Sequence, residues 1–501
     1  MSEKTFERDE GQERLIKMFS ETDSGAALNG SGTGAGKTNI ALRTAINRDA
    51  KRVLIIAPPK TFENWEGTIK ALLPSVELRP CANQKVAQFP VKECKANLEA
   101  AQNGDDGWFF VSREMFNLQN WVPVKNKDGS PKVGDKGKKV VRRADVWHKK
   151  RPWDMAIFDE VQIASNRNSR TRQSWAHLKA NFKLAQSADW FGSDLENMYT
   201  VGDDLWPGHT GMNRTEWIDE YMDTEFDPFS YNKKRIKGEL WEGFYASTLP
   251  CYAALPSPID KPEPERRYVD LTPAQRKLYD KLEADMVAEI EGNPLVVDMD
   301  MQLTMRLREL TLGMFHVVEF ERLIKSSPGE TEVATTVDYR PGDPSSTIDE
   351  IKAIHRDHNH EPMLVLTHSQ KFAAKAAADL GGLPYTGKQT DAQKAEAVRA
   401  FRVGETKILV GTEAICEGLD GLQEICRLSV IASRPWRPYM TTQFLGRTAR
   451  RGQKRPVLAY EIVRRDTIDL GVVSRLLRKT FQLNAAKAAE QKGKTGSTDG
   501  S

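Results

Sequence analysis

Short apolar runs recur along the chain, and stretches with helical periodicity separate them. They read RVLIIAPP, GWFFVS, MAIF, MLVLTH, KILVGT and RLSVIAS, the first beginning at Arg52 and the last ending at Ser433. A strand that is buried on both faces of a parallel sheet reads as a continuous apolar run. Alternation of such strands with helices is typical of α/β domains. The pattern therefore predicts an α/β fold with parallel sheets covered by helices.

The length of 501 residues exceeds what one hydrophobic core supports, so we expect more than one domain. The N-terminal MSEKTFERDEGQERL is charged, and no run of eighteen apolar residues occurs. We therefore expect neither a signal peptide nor a transmembrane helix, and no association with a membrane. The five cysteines form no CxxC pair, which favours a reducing, cytoplasmic setting, in the host cell if a phage encodes the chain.

A glycine-rich loop, LNGSGTGAGKTNIALRTA, follows a short apolar stretch and leads into a helical pattern. Glycines at this spacing let backbone N–H groups surround an anion, a lysine can reach the terminal phosphates, and a threonine hydroxyl can ligate Mg²⁺. Ser31 stands where the full pattern has glycine, so the motif is slightly relaxed. The predicted nucleotide-binding residues are Gly32, Thr33, Gly34, Ala35, Gly36, Lys37 and Thr38.

A pair of carboxylates ends the apolar run in WDMAIFDEVQIASN. Asp159, at the tip of a predicted parallel strand, is placed to hold Mg²⁺ together with Thr38. Glu160 can act as the general base that activates a water molecule. Together with the glycine-rich loop, the pair favours ATP hydrolysis over ATP binding alone.

Two segments carry concentrated positive charge. Residues 125–151 hold eleven lysines and arginines against three aspartates, which fits either a phosphate-binding loop or a solvated flexible loop. The segment QFLGRTARRGQ, Gln443–Gln453, has three arginines in a short, turn-prone stretch. From the residues alone, a basic surface helix would also explain it.

Taken in order, GTGAGKT, DEVQ and QFLGRTARRGQ resemble the first, second and sixth motifs of superfamily-two helicases. The C-terminal half resembles the Swi/Snf-like DNA translocases, in a compact bacterial or phage form. MLVLTHSQKFA is similar to their fourth motif, KILVGTEAICEGLDGLQ to their fifth, and RPWRPYMTTQFLGRTARRGQ to their Trp-x-Pro segment and sixth motif. The likeness extends from about residue 6 to about residue 480.

The resemblance implies two RecA-like parallel-sheet lobes in tandem, with helical insertions and a nucleotide between the lobes. It places the ATP-binding lobe in residues 1–255 and the second lobe in residues 256–480. The remaining expected features are a basic insertion at about 122–151, a helical extension at about 201–255, a linker and helical insertion at about 275–345, and a disordered tail at 481–501.

The resemblance also implies roles for individual residues. Arg447 and Arg450 would be arginine fingers, with Gln443 positioning their segment, and Gln12 would read the adenine. Gly418 and Asp420 of the fifth motif would contact the nucleotide. The expected nucleic-acid contacts are Lys60, Ser112, Arg113, His368, Ser369, Gly411 and Thr412.

Three functions stay open from the sequence. The first is a monomeric, ATP-dependent and Mg²⁺-dependent motor that moves along duplex or branched DNA. The second is an RNA helicase. The third is a DNA-binding or annealing scaffold with an uncoupled ATPase, because Gly192, Ser193 and Asp194 replace the Gly-Thr-Pro of the third motif.

Overall fold

The chain divides into two compact units, one formed by the chain up to Pro258 and the other by Ile259–Thr480. The structure, a computed structural model, describes residues 9–473 apart from 127–129, 134–139, 193–195, 227–233, 241–248, 258–260, 291–292, 297–299, 328–329, 417–418, 420 and 451. The predicted tail at 481–501, and Ser193, Asp194, Gly418 and Asp420, lie outside the described residues.

The first unit is built on a parallel sheet. Its strands are β1 (Ala26–Asn29), β2 (Arg52–Ile56), β3 (Leu78–Cys81), β4 (Gly107–Val111), β7 (Trp153–Asp159), β8 (Ala180–Gln186) and β11 (Tyr252–Ala253). The strand order is β11-β1-β8-β7-β2-β4-β3, and neighbouring strands pair in parallel. Every residue of β1 and β2 is buried, which explains their uninterrupted apolar character.

Helices connect these strands. They are α1 (Glu10–Glu21), α2 (Lys37–Asn47), α3 (Phe62–Leu72), α4 (Val91–Asn103), α5 (Arg113–Asn120), α6 (Arg170–Ala176), α7 (Asn197–Leu205) and α8 (Arg214–Tyr221). Several begin at a side chain that accepts a hydrogen bond from the first turn, as Ser112 does for α5 and Ser169 does for α6. Asn213 and Glu216 form a capping box at α8.

Two antiparallel hairpins are inserted in the first unit. One pairs β5 (Trp121–Pro123) with β6 (Val141–Arg143), and the other pairs β9 (Met222–Phe226) with β10 (Lys234–Leu240). The first hairpin lies in the basic insertion, and the second follows α8 in the region for which the sequence predicts a helical extension.

The second unit has its own parallel sheet. The strands are β12 (Glu265–Val269), β17 (Met363–Leu366), β18 (Leu383–Tyr385), β19 (Ile408–Gly411), β20 (Leu428–Ile431) and β21 (Leu458–Arg464). Their order is β12-β21-β20-β17-β19-β18, again with parallel pairing throughout. The predicted α/β class with two parallel sheets is therefore confirmed, and all six apolar runs form strands of these sheets.

Helices and two hairpins complete the second unit. The helices are α9 (Pro273–Asp285), α10 (Asp300–Leu310), α11 (Ser346–Asp357), α12 (Gln370–Asp379), α13 (Asp391–Arg402) and α14 (Pro438–Leu445). The hairpins are β13 (Val287–Ile290) with β14 (Asn293–Val296), and β15 (Met314–Ser327) with β16 (Glu330–Gly342). Much of the stretch predicted as a helical insertion is thus antiparallel strand, because β16, ETEVATTVDYRPG, is rich in β-branched residues.

The carboxyl edges of the two sheets carry most of the predicted site residues. In the first unit the glycine-rich loop follows β1, Lys60 follows β2, Ser112 follows β4 and Asp159 ends β7. In the second unit His368 follows β17 and Thr412 follows β19. Ligands of open parallel sheets bind at this edge, because the connecting loops and helix N-termini converge there.

Candidate nucleotide-binding site

The glycine-rich loop has the backbone that the sequence predicts for an anion cradle. Gly34 and Gly36 both have φ of +83°, in the left-handed region that residues with a side chain rarely adopt. Gly36 is the N-cap of α2, so the first turn of that helix, with Lys37 and Thr38, directs its free N–H groups toward the loop. The loop and the helix terminus together provide the donors that a phosphate requires.

A segment more than two hundred residues away fixes the loop in place. The backbone N–H of Gly32 donates to the carbonyl oxygen of Leu255 at 2.8 Å, and the N–H of Leu255 donates to Ser31 Oγ at 3.0 Å. The hydroxyl of Ser257 donates to the carbonyl oxygen of Thr33 at 2.9 Å. A Cβ at Gly32 would lie 2.7 Å from the backbone nitrogen of Ser257, so only glycine allows this approach.

Gln12 lies against the same loop. Its Nε2 donates to the carbonyl oxygen of Ala35 at 2.9 Å, and a Cβ on Gly36 would lie 2.5 Å from that nitrogen. Gln12 belongs to α1, whose inner face is held by buried Leu15, Ile16 and Phe19. The structure therefore brings the residue predicted to read the adenine to the loop predicted to hold the phosphates.

Lys37 folds back over the loop. Its Nζ donates to the carbonyl oxygens of Ser31 and Gly32 at 3.0 and 3.1 Å. An ammonium group held above a ring of backbone donors is placed to meet the outer oxygens of a bound phosphate chain. Ser31, the departure from the usual motif, is fully buried, and its hydroxyl serves the fold by accepting the bond from Leu255.

Asp159 and Glu160 stand beside the loop, on the strand two positions from β1. Asp159 Oδ1 accepts a bond from Gln186 Nε2 at 3.0 Å. Burial and the adjacent charge of Glu160 raise the pKa of Asp159 to about 6, whereas Gln186 and the positive charge of Lys37 act in the opposite direction. The charged form of a carboxylate that is poorly solvated in this way is stabilised when a cation binds beside it.

Glu160 sits in a strained conformation at the end of β7. Its φ of +58° lies in the left-handed region, which is uncommon for a residue with a side chain. Its Oε2 accepts from Gln162 Nε2 at 2.6 Å and from Ser187 Oγ at 3.4 Å. The two donors fix the direction of the carboxylate beside Asp159.

The residues present fit a nucleotide with Mg²⁺. A glycine cradle, an ammonium group, a helix N-terminus and an incompletely solvated carboxylate are what a magnesium–phosphate group needs from a protein. Thr38 and Asp159 are the side chains that would hold the metal ion. No cluster of three or more His, Cys, Asp or Glu residues that could bind a metal occurs within the described part of the chain.

Replacing Asp159 with asparagine is expected to stabilise the protein at pH 8 in the absence of nucleotide and Mg²⁺. Since the folded state raises the pKa of this carboxyl from 3.8 to about 6, the free energy of unfolding decreases as the pH rises through this window. Keeping this carboxylate charged lowers the free energy of unfolding by at most about 3 kcal/mol. We expect a decrease of about 1–2 kcal/mol, because the side chain is only partly buried. Urea unfolding at pH 8 and pH 3 measures the difference, which should nearly vanish at pH 3, below both pKa values.

Asp154, on the same strand, provides the matched control. Its Oδ2 accepts the backbone N–H groups of Lys51 and Arg52 at 3.0 and 2.8 Å, so the side chain contributes two hydrogen bonds to the fold. Asp154→Asn should therefore lower the free energy of unfolding at pH 8. An Asp159→Asn protein that is no more stable than the wild type at pH 8 would show that the carboxylate is adequately solvated.

Arg447 connects two predicted motifs of the second unit. Its Nη1 donates to the carbonyl oxygen of Leu419 at 2.5 Å, and its Nη2 donates to that of Cys416 at 2.7 Å. Gln443 lies on α14 one turn before, half-buried, and Arg450 follows three residues later, also half-buried. The structure thus brings Arg447 of the predicted sixth motif into contact with the loop of the predicted fifth motif.

The predicted nucleic-acid contacts of the first unit lie at the start of helices or turns. Lys60 is exposed in the turn before α3. The hydroxyl of Ser112 accepts from the backbone N–H of Met115 at 3.2 Å as the cap of α5. Arg113 is half-buried and pairs with Glu114.

The predicted nucleic-acid contacts of the second unit are more buried than those of the first unit. Ser369 caps α12 by accepting from Phe372 N at 3.3 Å, and Thr412 is buried. His368 Nδ1 lies 2.7 Å from Ser433 Oγ. Burial, with the charges of Arg308 and Arg464, lowers the pKa of His368 well below its usual range, so its ring is neutral at physiological pH. Gly411 ends β19, where a Cβ would lie 2.6 Å from Ile415 Cβ.

Sequence reasoning missed a buried cluster next to His368. Arg434, after β20, pairs with Glu461 on β21 through its Nε and through Nη2 at 2.8 Å. The guanidinium of Arg308, also buried, lies 4.2 Å from the ring centroid of Trp436. No local pattern marks these residues, because their partners come from four separate elements.

Comparison with known proteins agrees with the architecture of the second unit. Residues 346–452 match the family described as helicase conserved C-terminal domain. The chain is also 18% identical over 354 residues to a Bacillus subtilis (strain 168) protein named as the uncharacterized ATP-dependent helicase YqhH. That alignment takes in 66% of this chain and 58% of the relative. In the described residues, no helix combines the length and apolarity that a membrane span requires. Residues 346–452 are therefore similar to a helicase C-terminal domain, and the chain as a whole is similar at low identity to a protein named as a helicase.

Proposed function

We propose that the protein is an ATP-dependent DNA translocase or helicase of the Swi/Snf-like type. One observation carries the proposal: Lys37, Asp159 and Glu160 converge at the carboxyl edge of one parallel sheet, beside a loop with two left-handed glycines. A helicase C-terminal domain in the same chain favours a motor over a simple nucleotide-binding protein.

The roles follow from the chemistry of the side chains. The loop and Lys37 hold the phosphates of ATP, Gln12 contacts the base, and Thr38 and Asp159 hold Mg²⁺, which when bound neutralises charge on the phosphates. Glu160 accepts a proton from the attacking water. Arg447 and Arg450, from the second unit, stabilise the charge of the transferred phosphoryl group.

ATP hydrolysis is expected to be stimulated by duplex DNA more than by single-stranded DNA or RNA. Steady-state ATPase rates with the three nucleic acids, at equal nucleotide concentration and equal salt, measure the preference. Lys37→Ala is the control, because it should lower turnover by about 10²–10³-fold with every nucleic acid. Stimulation by RNA alone would replace the proposed DNA motor with an RNA helicase.

Movement needs its own measurement. Displacement of a triplex-forming strand from duplex DNA should occur with ATP and should stop in Lys37→Ala. A protein whose ATPase is stimulated by DNA but which displaces no strand would be a scaffold with an uncoupled ATPase, and the motor proposal would fail.

A further inference from the structure

The inserted hairpin of the first unit, β5–β6, has a described core that is well ordered by hydrogen bonds. Val124 N donates to Val140 O at 2.9 Å, Lys132 N donates to Val124 O at 2.7 Å, and Val140 N donates to Lys132 O at 2.8 Å. These bonds continue the pairing of Trp121–Pro123 with Val141–Arg143. The described part of the basic insertion is therefore a hydrogen-bonded hairpin, whereas the sequence alone fitted a phosphate-binding loop and a solvated flexible loop equally well.

The base of the hairpin is fixed on α5 and α6. Ala144 N donates to Asn120 O at 2.8 Å, and buried Trp147 donates through Nε1 to Phe116 O at 3.1 Å. Trp121 Nε1 donates to Ser174 Oγ at 3.1 Å, and the guanidinium of Arg170 lies 5.5 Å from the Trp121 ring centroid. The hairpin is thus held at a defined place on the first unit.

The exposed cations of this hairpin have no ion pair with a described residue. Lys125, Lys132 and Arg142 are exposed, and none has an ion pair with a described residue. Arg143 differs, because it is neutralised by Asp145 at 2.7 Å. Arg170 at the start of α6 adds a further exposed charge beside Trp121. Exposed cations that have no counter-charge among the described residues favour the binding of a polyanion.

The position of the hairpin relates these cations to the proposed nucleic-acid path. The N-cap of α5, Ser112, and its first residue, Arg113, are predicted contacts, and the hairpin begins at Trp121, directly after the last residue of the helix. Eight residues of helix extend about 12 Å. That length covers about three phosphates of one strand, since they recur every 3.4 Å or so along B-DNA. The base of the hairpin is therefore separated from the predicted contacts Ser112 and Arg113 by the length of one short helix.

We propose that the β5–β6 hairpin is a second phosphate-binding surface, formed by Lys125, Lys132 and Arg142, that extends the nucleic-acid contact of the first unit beyond the start of α5. The inference rests on the proposed function, since it assumes that the protein binds a nucleic acid. Contacts of this kind carry no sequence preference, because they reach only the sugar–phosphate backbone. They increase affinity and make it depend on salt.

The test is the salt dependence of binding by the full chain. In Lys125→Gln/Lys132→Gln/Arg142→Gln, the slope of log K against log salt concentration for duplex DNA should become shallower by about 2–3, at about 0.9 per lost contact. The matched control is Lys85→Gln/Lys92→Gln/Lys95→Gln, which removes three exposed lysines at and before α4 and the same net charge. The control should keep the wild-type slope. Thermal unfolding should be the same for all three proteins, because the replaced side chains are exposed.

Duplex DNA, duplex RNA and single-stranded DNA serve as separate probes, so that the source of the phosphates is identified. A hairpin variant whose slope equals that of the control, while the wild type binds, would overturn the second surface and leave the proposed function intact. Wild-type protein that binds none of the probes would overturn the proposed function, and the surface with it.

Discussion

Replacing Glu160 with glutamine is expected to lower the kcat for ATP by about 10²–10⁴-fold while leaving the affinity for ATP nearly unchanged. Glutamine has almost the same shape as glutamate but cannot accept the proton of an attacking water. In the proposed function, ATP binding depends on the loop, Lys37 and the metal ligands, none of which is altered. The loss should therefore appear in turnover alone.

The local structure is expected to tolerate this change. Gln162 Nε2 donates to Glu160 Oε2, and the amide oxygen of a glutamine can accept the same bond. The φ of +58° at position 160 is no worse for glutamine than for glutamate, because both carry an unbranched side chain. Lower activity of Glu160→Gln would then be caused by the loss of the general base and not by a rearrangement of the segment around residue 160.

Single-turnover hydrolysis and binding of a fluorescent ATP analogue measure the two quantities. Glu99→Gln is the control, since this glutamate is exposed on α4 and far along the chain from the loop. If Glu160→Gln hydrolyses ATP at the wild-type rate, the base lies elsewhere and the assignment of the carboxylate pair is wrong.

The parallel sheets could be predicted from the sequence because their strands are buried on both faces. β2, RVLII, is apolar after its first residue, and the whole strand is buried. The glycine-rich loop could also be predicted from the sequence, since the left-handed backbone at Gly34 and Gly36 requires glycine. In both cases the physical requirement acts on consecutive residues, so it leaves a local pattern.

The hydrogen bonds that hold the glycine-rich loop in place leave no such local pattern in the sequence. The bond from Leu255 to Ser31 joins residues that are 224 positions apart, and neither residue type is unusual at its place. The long hairpin β15–β16 was missed for another reason. Its alternation and its β-branched residues favour strands, but the resemblance to a helicase family led to the expectation of a helical insertion.

Replacing Arg450 with alanine is expected to lower kcat by about 10³–10⁵-fold, the contribution of an arginine finger to phosphoryl transfer. Arg450→Lys should recover only part of the activity, because an ammonium group keeps the charge but loses the planar, two-pronged geometry of a guanidinium. Arg356→Ala is the control, since this arginine is exposed on α11 and has no ion pair with a described residue.

Arg447 should behave differently from Arg450, although the same motif supplies both. Its guanidinium donates to the carbonyl oxygens of Leu419 and Cys416, so alanine at this position leaves both without that donor. We expect Arg447→Ala to lower kcat and also to lower the free energy of unfolding by about 1–3 kcal/mol. Kinetics combined with urea unfolding separates the two effects. If Arg450→Ala hydrolyses ATP with the wild-type kcat, the proposed role of Arg450 in the catalytic site is wrong. If Arg447→Ala is as stable as the wild type, the carbonyl oxygens of Leu419 and Cys416 are hydrogen-bonded to water in the variant.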